Sequence, residues 1–377
     1  MSQPEGRIPG MSVTPVPEAA LPEGHADTST WLAHDIKSVA NVVALMMRKG
    51  GAGKTTLTLL LADALARFGL HVLVVDLDPQ GNSSIGLGHK VVLEQTGETK
   101  LGKKPIMTPT EPTVLEVIEA DTEGVADDAI QIVDWGYDLD EPFHRGGPLF
   151  PGRVGRIGVI PSYRALEVTA ATWRPNDLEK LANALLLPSE KGGIAPNAKW
   201  DVVLIDTPPG GSLISIMAAK AAYRALLVTQ AQRFGVEAIP ETLLLVDDIR
   251  ESYKHDELDV LGLVFNEYTE RSQTQRHLMA EVNAEQQREG SPYEVDVWKG
   301  RVPNYTVVDK SQNAEAPLSA FLTSSADREP ARKVCQVAEG VAIQLLEAIG
   351  HPRAGEVKQA WKQAWPADLR MPIIREV

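Results

Sequence analysis

Three short stretches carry residues able to do chemistry together. The first is Arg48-Lys49-Gly50-Gly51-Ala52-Gly53-Lys54-Thr55-Thr56. It lies between an apolar run, Val42 to Met47, and a helix-forming run, Leu57 to Phe68. Strand, glycine-rich turn and helix in that order wrap backbone N–H groups around a phosphate. Gly50, Gly51 and Gly53 let the backbone close on the ligand, and the helix N-terminus adds partial positive charge. In such a cradle, completed by Ala52 and Thr56, Lys54 reaches the β- and γ-phosphates and the Thr55 hydroxyl holds Mg²⁺. The usual pattern places a glycine where this chain has Arg48, and a second lysine, Lys49, directly precedes the paired glycines.

The second stretch is Asp76-Leu77-Asp78-Pro79-Gln80-Gly81-Asn82 and the third is Asp206-Thr207-Pro208-Pro209-Gly210. Each closes an apolar run, so each belongs at the carboxyl edge of a sheet, where ligands of open α/β folds bind. A carboxylate there organises a Mg²⁺ shell, usually through water. Asp206 suits that task, Asp76 suits holding the loop and the metal shell, and Asp78 suits orienting an attacking water. Any one aspartate taken alone is equally a turn former or helix cap.

The elements that must position these residues are legible around them. Leu57, Leu60, Leu61, Ala64, Leu65 and Phe68 recur at helical spacing, with Gly69 at the C-terminal cap. His71 to Leu77 reads as a strand buried on both faces. Further strands are expected at Arg156 to Ile160, Trp200 to Ile205, Ala225 to Thr229, Val260 to Phe265 and Val295 to Trp298. Helical patterns cover Thr113 to Ala120, Asp127 to Val133, Asp177 to Leu187, Val236 to Tyr253, Ser272 to Gln287 and Glu329 to Ile349. The alternation implies right-handed βαβ units and an α/β fold: a doubly wound, mostly parallel sheet with helices on both faces. Residues 88 to 112 and 137 to 155 read as exposed loops. Across 94 to 150, thirteen Asp/Glu stand against four Lys/Arg, a pattern expected of a solvated face.

The chain is expected to comprise a disordered Pro-rich tail and lead-in over 1–37, one nucleotide-binding domain over 38–350, and a C-terminal appendix over 351–377. Hydrophobic content of 43% and charged content of 23% are those of a globular protein. A net charge of −14 argues against a uniformly basic surface, so nucleic-acid binding would need a local patch. The single cysteine, Cys335, excludes an internal disulfide and disfavours cluster or thiolate metal sites. No signal sequence or membrane-length apolar run is visible, which fits the cytoplasm.

Lys49 through Thr56, Asp76-x-Asp78-Pro79-Gln80-Gly81-Asn82 and Asp206-x-Pro208-Pro209 together resemble the ParA family of deviant Walker A (MinD/ParA-type) P-loop ATPases. The resemblance runs from about Val39 to Ile349 and includes Ile160-Pro161-Ser162, Gln230 to Ile239, Val302-Pro303-Asn304 and Glu315-Ala316-Pro317. It implies ATP and Mg²⁺ as ligands and ATP hydrolysis that is weak alone and stimulated by a partner. It implies catalytic roles for Lys49, Lys54 and Asp78, and metal organisation by Thr55, Asp76 and Asp206. Lys49 would cross the interface of an ATP-sandwich homodimer to the partner's nucleotide. An added cation of that kind stabilises the charge of phosphoryl transfer and links hydrolysis to association. Asn266, Pro303 and Asn304 match positions that face the base in related ATPases, although asparagine at a strand end is also an ordinary turn residue.

The same resemblance implies plasmid or chromosome partitioning with a ParB-like partner, nucleoid association, and non-specific, salt-dependent DNA binding. Arg271, Arg276, Arg288, Arg328, Arg332 and Lys333 are the candidate DNA contacts, or else solvated helix faces. One departure is Ser319-Ala320-Phe321 after Pro317-Leu318, where the family often has a basic residue. Alternatives are a positioning ATPase for a protein cargo and a MinD-type membrane-associated regulator. For the latter, Val357, Trp361 and Trp365 form an apolar stripe, which is short for an interfacial anchor and better suited to packing. The segment before the first strand is too short and proline-rich for a helix-turn-helix domain. Footprinting on DNA should therefore show no protected sequence; a defined protected site would contradict that expectation.

Overall fold

The computed structural model describes residues 41–99, 105–120, 125–186, 200–269, 271–288, 290–366 and 369. The tail over 1–37 and the Trp31 to Lys37 lead-in lie outside the described residues. In chain order the elements begin with β1 (Val42–Met46), α1 (Lys54–Arg67), β2 (Val72–Asp76) and α2 (Asn82–Gly86). A hairpin, β3 (Leu93–Glu98) and β4 (Pro105–Pro109), precedes α3 (Val114–Ala120) and β5 (Gln131–Val133). Next come β6 (Ile157–Ile160), α4 (Ala165–Ala170), α5 (Lys180–Leu186), β7 (Val202–Asp206) and α6 (Leu213–Ala221). The remainder is β8 (Arg224–Gln230), α7 (Arg233–Ser252), β9 (Asp259–Tyr268), α8 (Gln273–Gln286), β10 (Val297–Pro303), α9 (Thr306–Asn313), α10 (Arg328–Ala348) and α11 (Ala354–Ala364).

Eight strands form one sheet in the order β10-β9-β8-β1-β7-β2-β6-β5, parallel except for β5. The expected doubly wound architecture is present, and its central strand, β1, leads directly into the glycine loop. The apolar strands alternate between two cores. Val42, Ala44 and Met46 face one, lined by α3, α5, α6, α7 and α8, while Val43 and Leu45 face the other, lined by α1, α10 and α11. Burial on both faces explains why these strands read as continuous apolar runs rather than alternating ones. It also brings Asp76 and Asp206 side by side, because β2 and β7 pair in register there.

Several elements differ from expectation. The 88 to 112 segment is not all loop: β3 and β4 form an antiparallel ribbon whose Leu93, Ile106 and Met107 are exposed. Its polar and apolar residues mix on both faces, so it lacks the alternation that marks a half-buried strand. Asp127 to Val133 is not a helix. A 3-10 turn over Val125–Ala129 leads into β5, the antiparallel edge strand, too short for periodicity to declare itself. Helices α4, α6 and α9 were not anticipated, and β10 runs on to Pro303.

Beyond 350 the chain folds back onto the core. Trp361 and Trp365 are buried, and both indole N–H groups donate to Glu339 Oε2 (2.7 and 2.8 Å). Glu339 Oε1 accepts from Arg67 Nη1 at 2.8 Å, and the Arg67 guanidinium stacks over Phe143 while donating to the Gly147 and Phe143 carbonyls. Burial pushes the Glu339 carboxyl up, and Arg67 with the two indoles pulls it back. A buried charge with every hydrogen-bonding atom engaged ties α1, α10, α11 and the 137 to 155 loop into one unit. Glu339→Ala should therefore lower stability by about 3–5 kcal/mol, since it strands the Arg67 charge. Urea unfolding would measure this, and a loss under about 1 kcal/mol would show that the network does not hold the C-terminal helix.

Candidate nucleotide site

At the carboxyl edge of the sheet, the glycine loop opens a cavity of about 730 Å³. Gly51, Gly53 and Gly81 take positive φ, which glycine adopts without Cβ strain. At Gly53 the requirement is also steric: a Cβ would stand 1.7 Å from Asn266 Nδ2. α1 starts at Lys54, so its unpaired N–H groups open onto this cradle. Lys54, Thr55 and Thr56 line the cavity with Asp78, Pro79 and Gln80.

Asp76 and Asp206 are both fully buried. Thr55 Oγ1 and Ser83 Oγ donate to Asp206 Oδ2 (2.6 and 2.7 Å), while Asp206 Oδ1 has no partner. Asp76 is more fully engaged. Asp78 N donates to its Oδ1 (3.0 Å), and Ser84 N and Oγ donate to its Oδ2 (2.8 and 2.6 Å). Burial, reinforced by the neighbouring Asp206, pushes the Asp76 carboxyl up to about 8 against the pull of the Ser84 hydrogen bonds. Burial likewise pushes Asp206 up to about 6, opposed by Thr55, Ser83 and the Lys54 charge. The Lys54 ammonium is drawn down by burial, with Asp206 and Asp78 opposing the shift.

This donor set fits Mg²⁺. Among the described residues no cluster of three or more His, Cys, Asp or Glu side chains could hold a metal. Mg²⁺ needs none: it keeps waters and is held by one or two carboxylates plus phosphate oxygens. The free Oδ1 of Asp206 beside the Thr55 hydroxyl is such a foothold, and Asp76 holds the loop that carries Asp78. The Asp78 carboxylate lines the cavity and accepts from Gln80 N at 2.9 Å, as a water-orienting group would be displayed.

Lys49 does not line this cavity. Its Nζ lies 5.0 Å from the ring centre of Phe234, itself 72% exposed at the start of α7. Asn266 is buried under Gly53 with Nδ2 unpartnered. Pro303 and Asn304 do not line the cavity; Asn304 N donates to the Tyr268 carbonyl beyond it. Glu267, Gln312 and Asn313 occupy the wall instead, Gln312 Nε2 donating to Thr56 Oγ1 at 3.1 Å. Sequence reasoning missed Ser83 and Ser84. The only available signal was two hydroxyls directly after the Gly81-Asn82 turn, where α2 begins.

The candidate DNA cations divide. Arg271 and Arg276 are exposed without an ion pair among the described residues, and Arg288 pairs with Glu285. Arg328 is spent on the Leu322 and Thr323 carbonyls, Arg332 on Glu329 and the Leu369 carbonyl, and Lys333 on Tyr305. Ser319 is buried, its N and Oγ donating to Asp63, so its place in the sequence is set by packing.

The CobQ/CobB/MinD/ParA nucleotide-binding domain profile matches residues 43–318. The chromosome partitioning protein ParA of Caulobacter vibrioides is 27% identical over 248 residues, covering 64% of this chain and 75% of that protein. An ATP complex of Cyanothece McdA superposes with a TM-score of 0.55 at 21% identity, covering 82% of this chain and 96% of the other. The septum site-determining protein MinD of Pyrococcus horikoshii, complexed with Mg-ADP, gives 0.54 at 20% identity, covering 84% and 98%. At those identities the two structures establish a shared fold.

The buried carboxyls imply a pH signature for the nucleotide-free chain. Their folded values lie above the ordinary value of 3.8, so the fold keeps protons that the unfolded chain has released. Their contribution to stability falls as pH rises from about 4 through about 6 and 8. Asp206→Asn should be more stable than the parent by roughly 1–3 kcal/mol near pH 8.5, with the gap closing towards pH 4. Denaturant unfolding across that range would check this; a variant less stable at high pH would refute it.

Proposed function

The chain belongs to the CobQ/CobB/MinD/ParA nucleotide-binding family, and from that premise we propose that it is a Mg-ATPase that dimerises around ATP. In this reading it binds DNA without sequence preference and drives plasmid or chromosome partitioning with a ParB-like partner. The glycine cradle, Lys54, Thr55 and the free oxygen of Asp206 support Mg–ATP binding. Gly50 to Thr56 would enclose the phosphates, Thr55 and Asp206 would hold the cation, and Mg²⁺ when bound would neutralise charge developing on the phosphates. Asp78 orients the attacking water from the rim of the cavity.

The observation that carries the dimer is Lys49. It is adjacent to the cradle yet absent from its lining, resting on an exposed aromatic ring of its own chain. A lysine placed beside the cradle in this way supports a role towards the nucleotide of a second subunit. Charge arriving only with that subunit makes hydrolysis depend on association. Arg271 and Arg276, near the start of α8, are the cations left available for DNA phosphates. Burial of Trp361 and Trp365 removes the apolar stripe that a membrane-associated reading would use. A positioning ATPase with a protein cargo employs the same site and the same DNA track; identifying the binding partner separates the two.

Light scattering with ATP should show the parent chain and Asp78→Ala as dimers, and Lys49→Ala as a monomer that still binds ATP. Turnover of Asp78→Ala should fall by at least about 100-fold. Cosedimentation with non-specific DNA should require ATP and weaken with salt. Undiminished dimerisation of Lys49→Ala would refute the cross-subunit role, and nucleotide-independent DNA binding would refute the switch.

A further inference from the structure

The turn of the glycine loop is tied to a neighbouring strand by one side chain. Gln230, the last residue of β8, donates from Nε2 to the Gly51 carbonyl at 2.7 Å. The two residues lie 179 positions apart, and the pairing of β8 with β1 brings them together. The backbone of Gln230 is itself held in place. Its carbonyl accepts from Gln232 N at 2.8 Å, and Thr229 Oγ1 donates to the Gly235 carbonyl at 3.0 Å. Only glycine fits at 235, because a Cβ there would stand 2.5 Å from the Gln230 carbonyl oxygen. The start of the loop is fixed from the same side, Arg48 N donating to Thr242 Oγ1 of α7 at 3.2 Å. Its far end closes where Leu57 N donates to the Gly53 carbonyl at 2.9 Å.

Between those anchors stand Gly50, Gly51, Ala52 and Gly53, a run with little intrinsic preference for one peptide orientation. Orientation matters there, because phosphate is bound by N–H groups and repelled by carbonyl oxygens. In a planar trans peptide the C=O and the following N–H point in opposite directions. Gly51 and Ala52 line the cavity, whereas Gln230 does not. A bond that draws the Gly51 oxygen to Gln230 therefore turns that oxygen away from the cavity and the Ala52 N–H towards it. We infer that Gln230 is a positioning residue for phosphate binding, its amide setting the Gly51–Ala52 peptide with the donor facing the ligand. Without that amide the peptide populates both orientations, one of which puts a carbonyl against the phosphates. Gln230 acts through the loop and touches no phosphate itself. This assignment rests on the nucleotide-binding reading above.

Gly51-Ala52 is the only Gly-Ala dipeptide in the chain, so this peptide can be observed alone by NMR. The full chain labelled with carbonyl-¹³C glycine and ¹⁵N alanine gives a single carbonyl-to-amide correlation, which belongs to it. In the parent that correlation should shift when Mg–ADP is added, as the amide meets phosphate. Gln230→Met keeps the length of the side chain and removes the donor. It should move the Gly51 carbonyl resonance of the nucleotide-free chain and weaken Mg–ADP binding roughly three- to tenfold by calorimetry. Its Tm without nucleotide should stay within about 2 °C of the parent's, which separates positioning from a folding role. Gln230→Ala, which removes the amide by truncation, should repeat both effects. Gln230→Lys restores a donor and should return the resonance, with affinity within about twofold of the parent at about 0.5 M salt, where its added charge is screened. Donor-less variants that keep the parent's carbonyl resonance, or its affinity, would overturn the positioning role and leave the nucleotide reading standing. So would a parent that binds Mg–ADP with no shift of the Ala52 amide. A parent that binds no Mg–ADP would overturn both.

Discussion

Asp76 and Asp206 stand in register at the carboxyl ends of neighbouring parallel strands, both fully buried, with serine and threonine hydroxyls, backbone amides and the Lys54 ammonium for company. Two like charges so placed disfavour ionisation, and burial sharpens the penalty. Much of the surrounding architecture answers to that constraint. The glycine loop presents Lys54 to Asp206. The turn after β2 spends Ser84 and the Asp78 amide on Asp76, which fixes the loop that displays Asp78 to the cavity. A divalent cation accompanied by phosphates is the ligand that relieves this site most, since it converts an electrostatic cost into affinity.

The second organising contact lies at the opposite end of α1. The helix that begins at the phosphate cradle ends at Arg67, which is clamped by Glu339 and, through it, by Trp361 of α11 and Trp365 at its C-terminal cap. α1 is apolar on nearly all sides because α10 covers it across a wide face, with Phe143 from the 137 to 155 loop packed at its C-terminal end. The two insertions therefore have different characters. The 137 to 155 segment is anchored by Phe143 and Leu149, whereas the β3–β4 ribbon stands exposed.

What the sequence discloses and what it hides follow from physical range. The cradle, the strand-end aspartates and the central strands are local patterns: glycine spacing, apolar runs, a carboxylate after each run. They needed no tertiary knowledge, and the sheet assembles as those runs demand. Ser83 escaped because its role depends on Asp206, a partner far away in the chain. β5 escaped because three residues are too few to show a period, and it exists only through pairing with β6. Arg328, Arg332 and Lys333 read as surface cations, yet each is occupied by a carbonyl, a carboxylate or a tyrosine hydroxyl that composition cannot reveal. Lys49 is the reverse case: its departure from the common loop pattern was visible at once, and its place outside the cavity gives that departure a meaning.

The central claim is that the buried carboxylate pair makes this a site for a cation-bound nucleotide. Calorimetry of preformed Mg–ATP binding to the nucleotide-free chain, near pH 7 in two buffers of different ionisation enthalpy, tests it most directly. The account predicts net proton release on binding, as the cation lets the pair ionise, together with a loss of affinity when Mg²⁺ is chelated. ATP binding of equal affinity with and without Mg²⁺, and without proton release, would contradict it.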